Sequence, residues 1–424
     1  MITVPRGTRD IFGSETAVWR RVEHIIHELC ETFGYSEIRT PMFEAEELFR
    51  RGVGETTDVV SKEMFTFTDR GGRQNALRPE GTAGAMRSYI ENGMSSFTQP
   101  VKLFYVYSLF RQEKPQAGRY RQYNSFGAEV IGSGTPSCDA ELISLAYELF
   151  LRLKIKNVDV HLNSLGCPTC RQNHNKALRS FLEGIPLCDT CKERSIKNPM
   201  RVLDCKEAEC KKNTENAPFT LDFLDDGCIG HFEEVKKTLN AMGIPFIIDR
   251  RIVRGLDYYT HTVFEFICKD EAAAGLGNQN VMGGGGRYDG LSRLIGGPQI
   301  PGAGFGLGIE RIILTLEAMG SDIVKNINNE CDIFIGAIGD FGSTAAQAIV
   351  YSLRQENHKA VSDISERSVK AQMKYADKLN ARFSAILGDD EISKGKCSIK
   401  NMETGETCEV DIIKINEFLQ KKVV

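Results

Sequence analysis

The 424-residue sequence contains no run of eighteen apolar residues, and its first ten residues, MITVPRGTRD, lack the apolar stretch an export signal needs. No membrane partner is therefore expected, and the cytoplasm is the expected compartment. A Gly-Lys-Ser/Thr phosphate loop is missing, as is a Gly-x-Gly-x-x-Gly fingerprint, which argues against the two commonest nucleotide-binding folds. Charge of either sign is barely in excess: 53 Lys and Arg against 57 Asp and Glu leave a net −4. Any contact with RNA must then come from local basic patches. No repeat or low-complexity segment points to a structural role. Thirteen cysteines, an odd number in a long chain without a leader, read mostly as reduced thiols.

What is present describes an ordinary globular protein, 41% hydrophobic and 26% charged, long enough for two or three domains. Val18, Val22, Ile25, Ile26, Leu29 and Phe33 recur at helical spacing, and Gly34 suits the position after the helix end. GYSEIRTPMFE reads as a strand interrupted by Pro41, followed by a short helix. Residues 64–92 read as a strand hairpin leading into a helix from about Ala83, with Thr82 as its N-cap. The centre of the chain is 99–132. Val101–Phe110 is an apolar, aromatic strand; a polar loop carries Lys114, Arg119 and Arg121; a second strand returns from Gln122 to Ile131. Arg111 and Glu129 are out of place in so apolar a strand pair unless they close the sheet as an ion pair or do chemistry. Residues 138–156 read as a surface helix and VDVHLNSLG as a strand. Residues 163–240 change character: Cys167-x2-Cys170 and Cys188-x2-Cys191 have the spacing of a four-thiolate zinc site, with Cys205, Cys210 and Cys228 behind them. Structural zinc, buried reduced thiols and redox activity all remain open for this stretch.

The hairpin at 99–132 resembles the second signature motif of class II aminoacyl-tRNA synthetases, specifically the histidine enzymes. RGLDYYT (254–260) before an alternating TVFEF strand resembles the motif peculiar to that group, and GAGFGLGIER (302–311) resembles the third class II motif. The segment around Pro41 is similar to the first, which forms a dimer interface. The resemblance implies an α+β catalytic domain on an antiparallel sheet, residues 1–325, with the Cys-rich subdomain inserted at about 163–240. An α/β anticodon-binding domain would follow at 326–424, after a polar linker at 321–330.

It also implies roles. An amino-acid carboxylate attacks the α-phosphorus of ATP, so the catalyst neutralises charge and aligns reactants without a covalent nucleophile. Arg111, Arg254 and Arg311 would be the catalytic cations, since a forked, permanently charged guanidinium suits the work. Arg111 would meet the α-phosphate and Arg254 would supply a second cation there, where many relatives use a metal ion. Arg311 would stack on the adenine and meet the γ-phosphate. Glu80, Gly81 and Thr82 would hold the α-amino group. Glu129 and Tyr259 would bond the two imidazole nitrogens, with Ser125, Tyr258 and Tyr288 shaping the pocket. Glu113, Arg121, Phe126 and Gly308 are assigned to ATP, and Gln116 and Arg121 to the tRNA acceptor end. Relatives commonly have His-Gln before this Phe-Gly, where the chain reads Asn124-Ser125. The glycine run at 283–286 is by itself more often a loop than a cradle.

The expected activity is that of a homodimeric histidine enzyme using Mg·ATP and tRNA(His), with no metal ligand assigned among the reacting groups. KAQMKYADKLNARF in the last domain is a basic patch suited to RNA, or else a solvated helix face. A regulatory relative without catalysis and a paralogue with altered substrate choice are the alternatives. The former usually lacks the C-terminal domain and active-site residues.

Overall fold

Near-continuous burial explains the central hairpin: Ser125 to Ile131 are all buried, as is half of Val101–Phe110, and the two ten-residue runs pair antiparallel from Val101 opposite Ile131 to Phe110 opposite Gln122. The computed structural model describes residues 1–55, 57–116, 118–269, 280–325 and 331–423. They divide into two compact units, Met1–Lys325 and Asn326–Val424. The expected linker at 321–330 is described only as far as Lys325.

The strands of the first unit are β1 (Ser36–Glu37), β2 (Phe43–Ala45), β3 (Thr66–Thr68), β4 (Gln74–Leu77), β5 (Val101–Phe110), β6 (Gln122–Ile131), β7 (Val158–Ser164), β8 (Phe246–Ile248), β9 (Thr260–Cys268), β10 (Val281–Arg287) and β11 (Gly302–Gly308). Eight form one sheet in the order β1-β5-β6-β11-β10-β9-β7-β8, and β2-β4-β3 form a small second sheet. Only β1/β5 and β7/β8 are parallel in the large sheet. Pro41 does more than interrupt a strand. The chain leaves the large sheet after β1 and enters the small one at β2. The glycine run at 283–286 is strand β10 rather than a loop, held between β9 and β11.

Helix Pro136–Arg152 packs on Ser14–Thr32 and Asp226–Ala241 and against β6 and β11. Its buried Leu142, Leu145 and Leu149 form the apolar stripe. It ends before the expected Lys156 because Lys154 turns left-handed, at φ 56°. One buried pair ties this layer to the sheet. Arg287 and Asp139 are each 1% exposed and meet at 2.6 Å, with His231 on the other Asp139 oxygen at 2.7 Å. Asp139→Asn keeps the shape but removes the nearer of two countercharges of a buried guanidinium, leaving Asp289 at 3.1 Å. It is expected to cost about 1–3 kcal/mol of stability, read by urea unfolding.

The four cysteines of the two Cys-x2-Cys pairs do not come together. Helix Pro168–Leu182 runs between them and, at 15 residues, spans about 22 Å. Cys167 and Cys170 meet Cys228 and Asp225, while Cys188 and Cys191 meet Cys205 and Cys210.

The second unit contains β12 (Cys331–Ala337), β13 (Ala360–Ser362), β14 (Ala381–Leu387), β15 (Lys396–Asn401) and β16 (Thr407–Asp411), in the order β13-β12-β14-β15-β16. The first three are parallel, and the last two extend them as an antiparallel hairpin. Helix Val369–Lys378 buries Gln372 and Ala376, leaving Lys370, Lys374 and Lys378 exposed at four-residue spacing along its outer side.

Candidate active site

A cavity opens over β6, β10 and β11, and its floor is nearly free of side chains where Gly283, Gly284, Gly306 and Gly308 line it. Carboxylates and hydroxyls gather in one part. Glu80, just beyond β4, is buried, and its two oxygens accept from the amide N–H groups of Thr82 (2.7 Å) and Ala83 (2.9 Å). Thr82 is therefore the first helical residue rather than the N-cap; Glu80 caps the helix, which frees the Thr82 hydroxyl. That hydroxyl donates to Glu129 at 2.8 Å, as do Tyr105 Oη at 3.0 Å and Tyr288 Oη at 2.5 Å. Burial pushes Glu129 up to about 8 against the pull of these donors, and the nearby Glu80 adds to the rise. Gly304 makes this arrangement possible, because a Cβ there would overlap Glu129 Oε2. Glu129 and Tyr288 lie directly behind the lining residues. Tyr258 and Tyr259 do line the cavity, and Tyr258 Oη is 3.4 Å from Glu80.

Guanidinium groups gather in another part, where Arg111, Arg119, Arg254 and Arg311 all line the wall. Arg111 donates to Pro79 O at 2.9 Å and stands 3.8 Å from Glu113; no ion pair joins it to Glu129 among the described residues. Arg254 pairs with Glu265 at 2.6 Å and lies over the Tyr259 ring. Arg311, in the first turn of helix Ile309–Ala318, donates to Val281 O. Its pKa is lowered by burial and then by the charges of Arg119 and Arg111. Four clustered cations sharing the carboxylates of Glu113 and Glu265 make a site for a polyanion.

Phe126 and Arg121, both expected at the ATP site, lie outside the cavity lining. Phe126 is fully buried and packs edge-on against Phe305, away from the cavity. Strand alternation puts Tyr123 and Ser125 on the lining side and Phe126 behind the sheet. Arg121 also lies outside the lining: its backbone N–H donates to Gly7 O (2.8 Å) and its side chain to Glu113 O (3.3 Å), bracing the loop against the N-terminal segment. Arg119 enters the cavity instead and pairs with Glu113. Gln116 is exposed on that loop. Ser125 lines the cavity, and its hydroxyl donates to Leu307 O at 3.2 Å. Phe126→Leu is thus expected to lower stability by about 1–3 kcal/mol, read by urea unfolding, and to leave the cavity wall as it is.

A family model described as histidyl-tRNA synthetase matches residues 7–168 and 213–312, and one described as an anticodon binding domain matches 332–422. The chain belongs to the histidyl-tRNA synthetase family. It is 50% identical to a histidine–tRNA ligase of Caldanaerobacter subterraneus subsp. tengcongensis, over 98% of this chain and 99% of that one. The corresponding ligase of Clostridioides difficile is 49% identical, over 99% of each chain. The crystal structure of apo Staphylococcus aureus histidyl-tRNA synthetase superposes with a TM-score of 0.83 at 37% identity, covering 99% of this chain and 100% of that one. The α+β architecture expected from the motifs is the histidyl-tRNA synthetase fold.

Among the cavity-wall residues that sequence reading did not assign are Tyr105, Arg119, Tyr123, Met282 and Glu310. Tyr123 was available from strand alternation with Ser125. Glu310 sits in the Gly-x-Gly-x-Glu-Arg stretch beside Arg311, and its carboxylate accepts from the Asn124 amide N–H at 2.8 Å. Tyr105 and Arg119 carry no local signal.

Proposed function

We infer that this chain is a histidine–tRNA ligase that makes histidyl-adenylate from histidine and Mg·ATP, then esterifies the terminal adenosine of tRNA(His). The observation that carries the reading is the polarity of one cavity. Buried carboxylates and phenols suit an ammonium and an imidazole, and clustered guanidinium groups suit a triphosphate. In the first step the histidine carboxylate oxygen bonds to the α-phosphorus and pyrophosphate leaves. In the second, a ribose hydroxyl attacks the carbonyl carbon, loses its proton and releases AMP.

Arg111 and Arg254 neutralise the α-phosphoryl oxygens as charge builds in the transition state. Arg311, with Arg119 beside it, takes the outer phosphates, and the glycine floor at Gly308 admits the flat adenine against the backbone. Glu113 meets the adenine amino group or ribose end. Glu80 has lone pairs left after capping its helix and, with Gly81 and Thr82, receives the α-amino group. Glu129 and Tyr259 bond the imidazole, and Tyr258, Tyr288 and Ser125 set the pocket's shape. Gln116 meets the acceptor end, a role its exposure on the motif loop supports. Magnesium arrives as part of the ATP substrate. The lysine row on helix Val369–Lys378 faces the anticodon arm, the Pro41 segment joins two copies in a homodimer, and the enzyme works in the cytoplasm.

Amino-acid-dependent ATP–pyrophosphate exchange across all twenty amino acids tests this reading. Exchange with histidine alone is expected. Silence from well-folded protein would favour a regulatory relative, and exchange with another amino acid would mean that Ser125 has reshaped the pocket.

A further inference from the structure

Two clusters in the inserted segment play no part in the cavity chemistry. Cys188, Cys191, Cys205 and Cys210 offer four sulfur atoms all within 4.8 Å of one another. The Cys188 and Cys205 sulfurs are 3.9 Å apart, and the Cys188 amide donates to Cys210 Sγ at 3.2 Å. Cys191, Cys205 and Cys210 are buried. A disulfide needs sulfurs about 2.05 Å apart and joins them only in pairs. A tetrahedral zinc with bonds of about 2.3 Å sets its sulfurs about 3.8 Å apart along every edge, close to the 3.9 Å between Cys188 and Cys205 and within the 4.8 Å that bounds the whole set.

The second cluster stands on separate observations. Cys170 Sγ is 3.5 Å from Cys167 Sγ and 3.8 Å from Cys228 Sγ. Asp225 supplies the fourth corner. Its Oδ1 is fixed by the Cys228 amide at 2.8 Å, which turns Oδ2 inward, 3.1 and 3.3 Å from the Cys167 and Cys170 sulfurs. Amide N–H groups of Cys167 and Asp225 donate to the Cys228 and Cys170 sulfurs at 3.3 and 3.2 Å. Such outer donors orient ligands and stabilise thiolate charge.

We propose that this segment carries two structural zinc ions, one on Cys188, Cys191, Cys205 and Cys210 and the other on Cys167, Cys170, Cys228 and Asp225. Soft thiolate sets of tetrahedral size select zinc without redox chemistry. The sites also explain how so polar a segment keeps its shape. Helix Asp189–Lys197, which begins at the first site, sends Arg194 to Asp58, and the turn that follows sends Asn198 to Asp257 and Arg201 to Arg254 O. The second site abuts β9, where Cys228 Sγ lies 3.7 Å from His261. Between them the ions brace the stretch that carries Arg254, Tyr258 and Tyr259. Because metal affinity becomes folding free energy, zinc loss is expected to loosen the insert first.

The test is metal analysis of the full chain, purified without chelator or polyhistidine tag. Two zinc ions per chain are expected, falling to one in Cys205→Ser and to one in Cys228→Ser. A count that a variant leaves unchanged overturns that variant's site. No zinc, bound iron, or disulfides by non-reducing mass spectrometry overturns both. Should either variant fail to fold, wild-type protein is stripped and refilled with cobalt. Thiolate-to-cobalt absorption of one four-sulfur and one three-sulfur centre supports the proposal, and its absence overturns it. Limited proteolysis within 183–215, faster after stripping, reads the bracing role independently of activity.

Discussion

Arg254→Ala is expected to cut histidine-dependent pyrophosphate exchange by about 10²–10³-fold through kcat, with the KM for histidine nearly unchanged. The guanidinium is buried on the cavity wall, locked by Glu265 and lying over Tyr259, so it is held in place before substrate arrives. A cation held in this way acts mainly on charge that appears in the transition state. Lysine should not restore the rate, because one ammonium cannot hold Glu265 and a phosphoryl oxygen in the same forked geometry. Removing Arg254 alone also leaves Glu265 without its partner, so the double variant Arg254→Ala, Glu265→Gln separates lost catalysis from lost folding. If that double variant regains stability yet stays inactive, the role is chemical. A raised KM with normal kcat would place Arg254 in ground-state binding instead.

Glu129→Gln is expected to move activity and stability in opposite directions. Burial holds this carboxyl near 8 in the empty protein, against 4.5 for an unperturbed glutamate. Between those values the folded state keeps a proton that the unfolded chain has released. Stability from this group is therefore greatest below about 4.5 and declines as pH rises toward 8. An amide has no such proton to lose, and the Thr82, Tyr105 and Tyr288 hydroxyls around it can turn to accept. The variant should melt higher than the wild-type protein at pH 8, and the difference should shrink toward pH 5. Its kcat/KM for histidine should nevertheless fall by about 10²-fold, because an amide cannot give up a proton to become the charged acceptor that the carboxyl can offer the imidazole. Thermal melts across that range, alongside exchange kinetics, test both signs. Equal melting at all pH values would show that the carboxyl does not titrate in this window.

Much of the cavity wall was legible in the sequence because its polar residues are concentrated in short contiguous stretches. Glu80-Gly81-Thr82, the Arg111 hairpin, Arg254 to Tyr259 and Glu310-Arg311 each put several functional groups within a few residues. A strand end or a helix start then suffices to aim them. The helix at 14–32, the hairpin at 101–131 and the C-terminal α/β unit were legible for a related reason, since apolar periodicity is a local property.

Other features depended on partners far apart in sequence. The helices packed behind β6 made Phe126 core, on the face opposite Ser125. Arg119 rather than Arg121 entered the cavity because residues 6–7 hold Arg121 from outside. Tyr105 reached Glu129 only because β5 and β6 pair in one register, and the Asp139–Arg287 bond spans 148 positions. The cysteines show the division most plainly. Their spacing left zinc, reduced thiols and redox activity all open, the helix between the pairs separated them, and only the folded chain gathered Cys205 and Cys210 at one pair and Asp225 and Cys228 at the other.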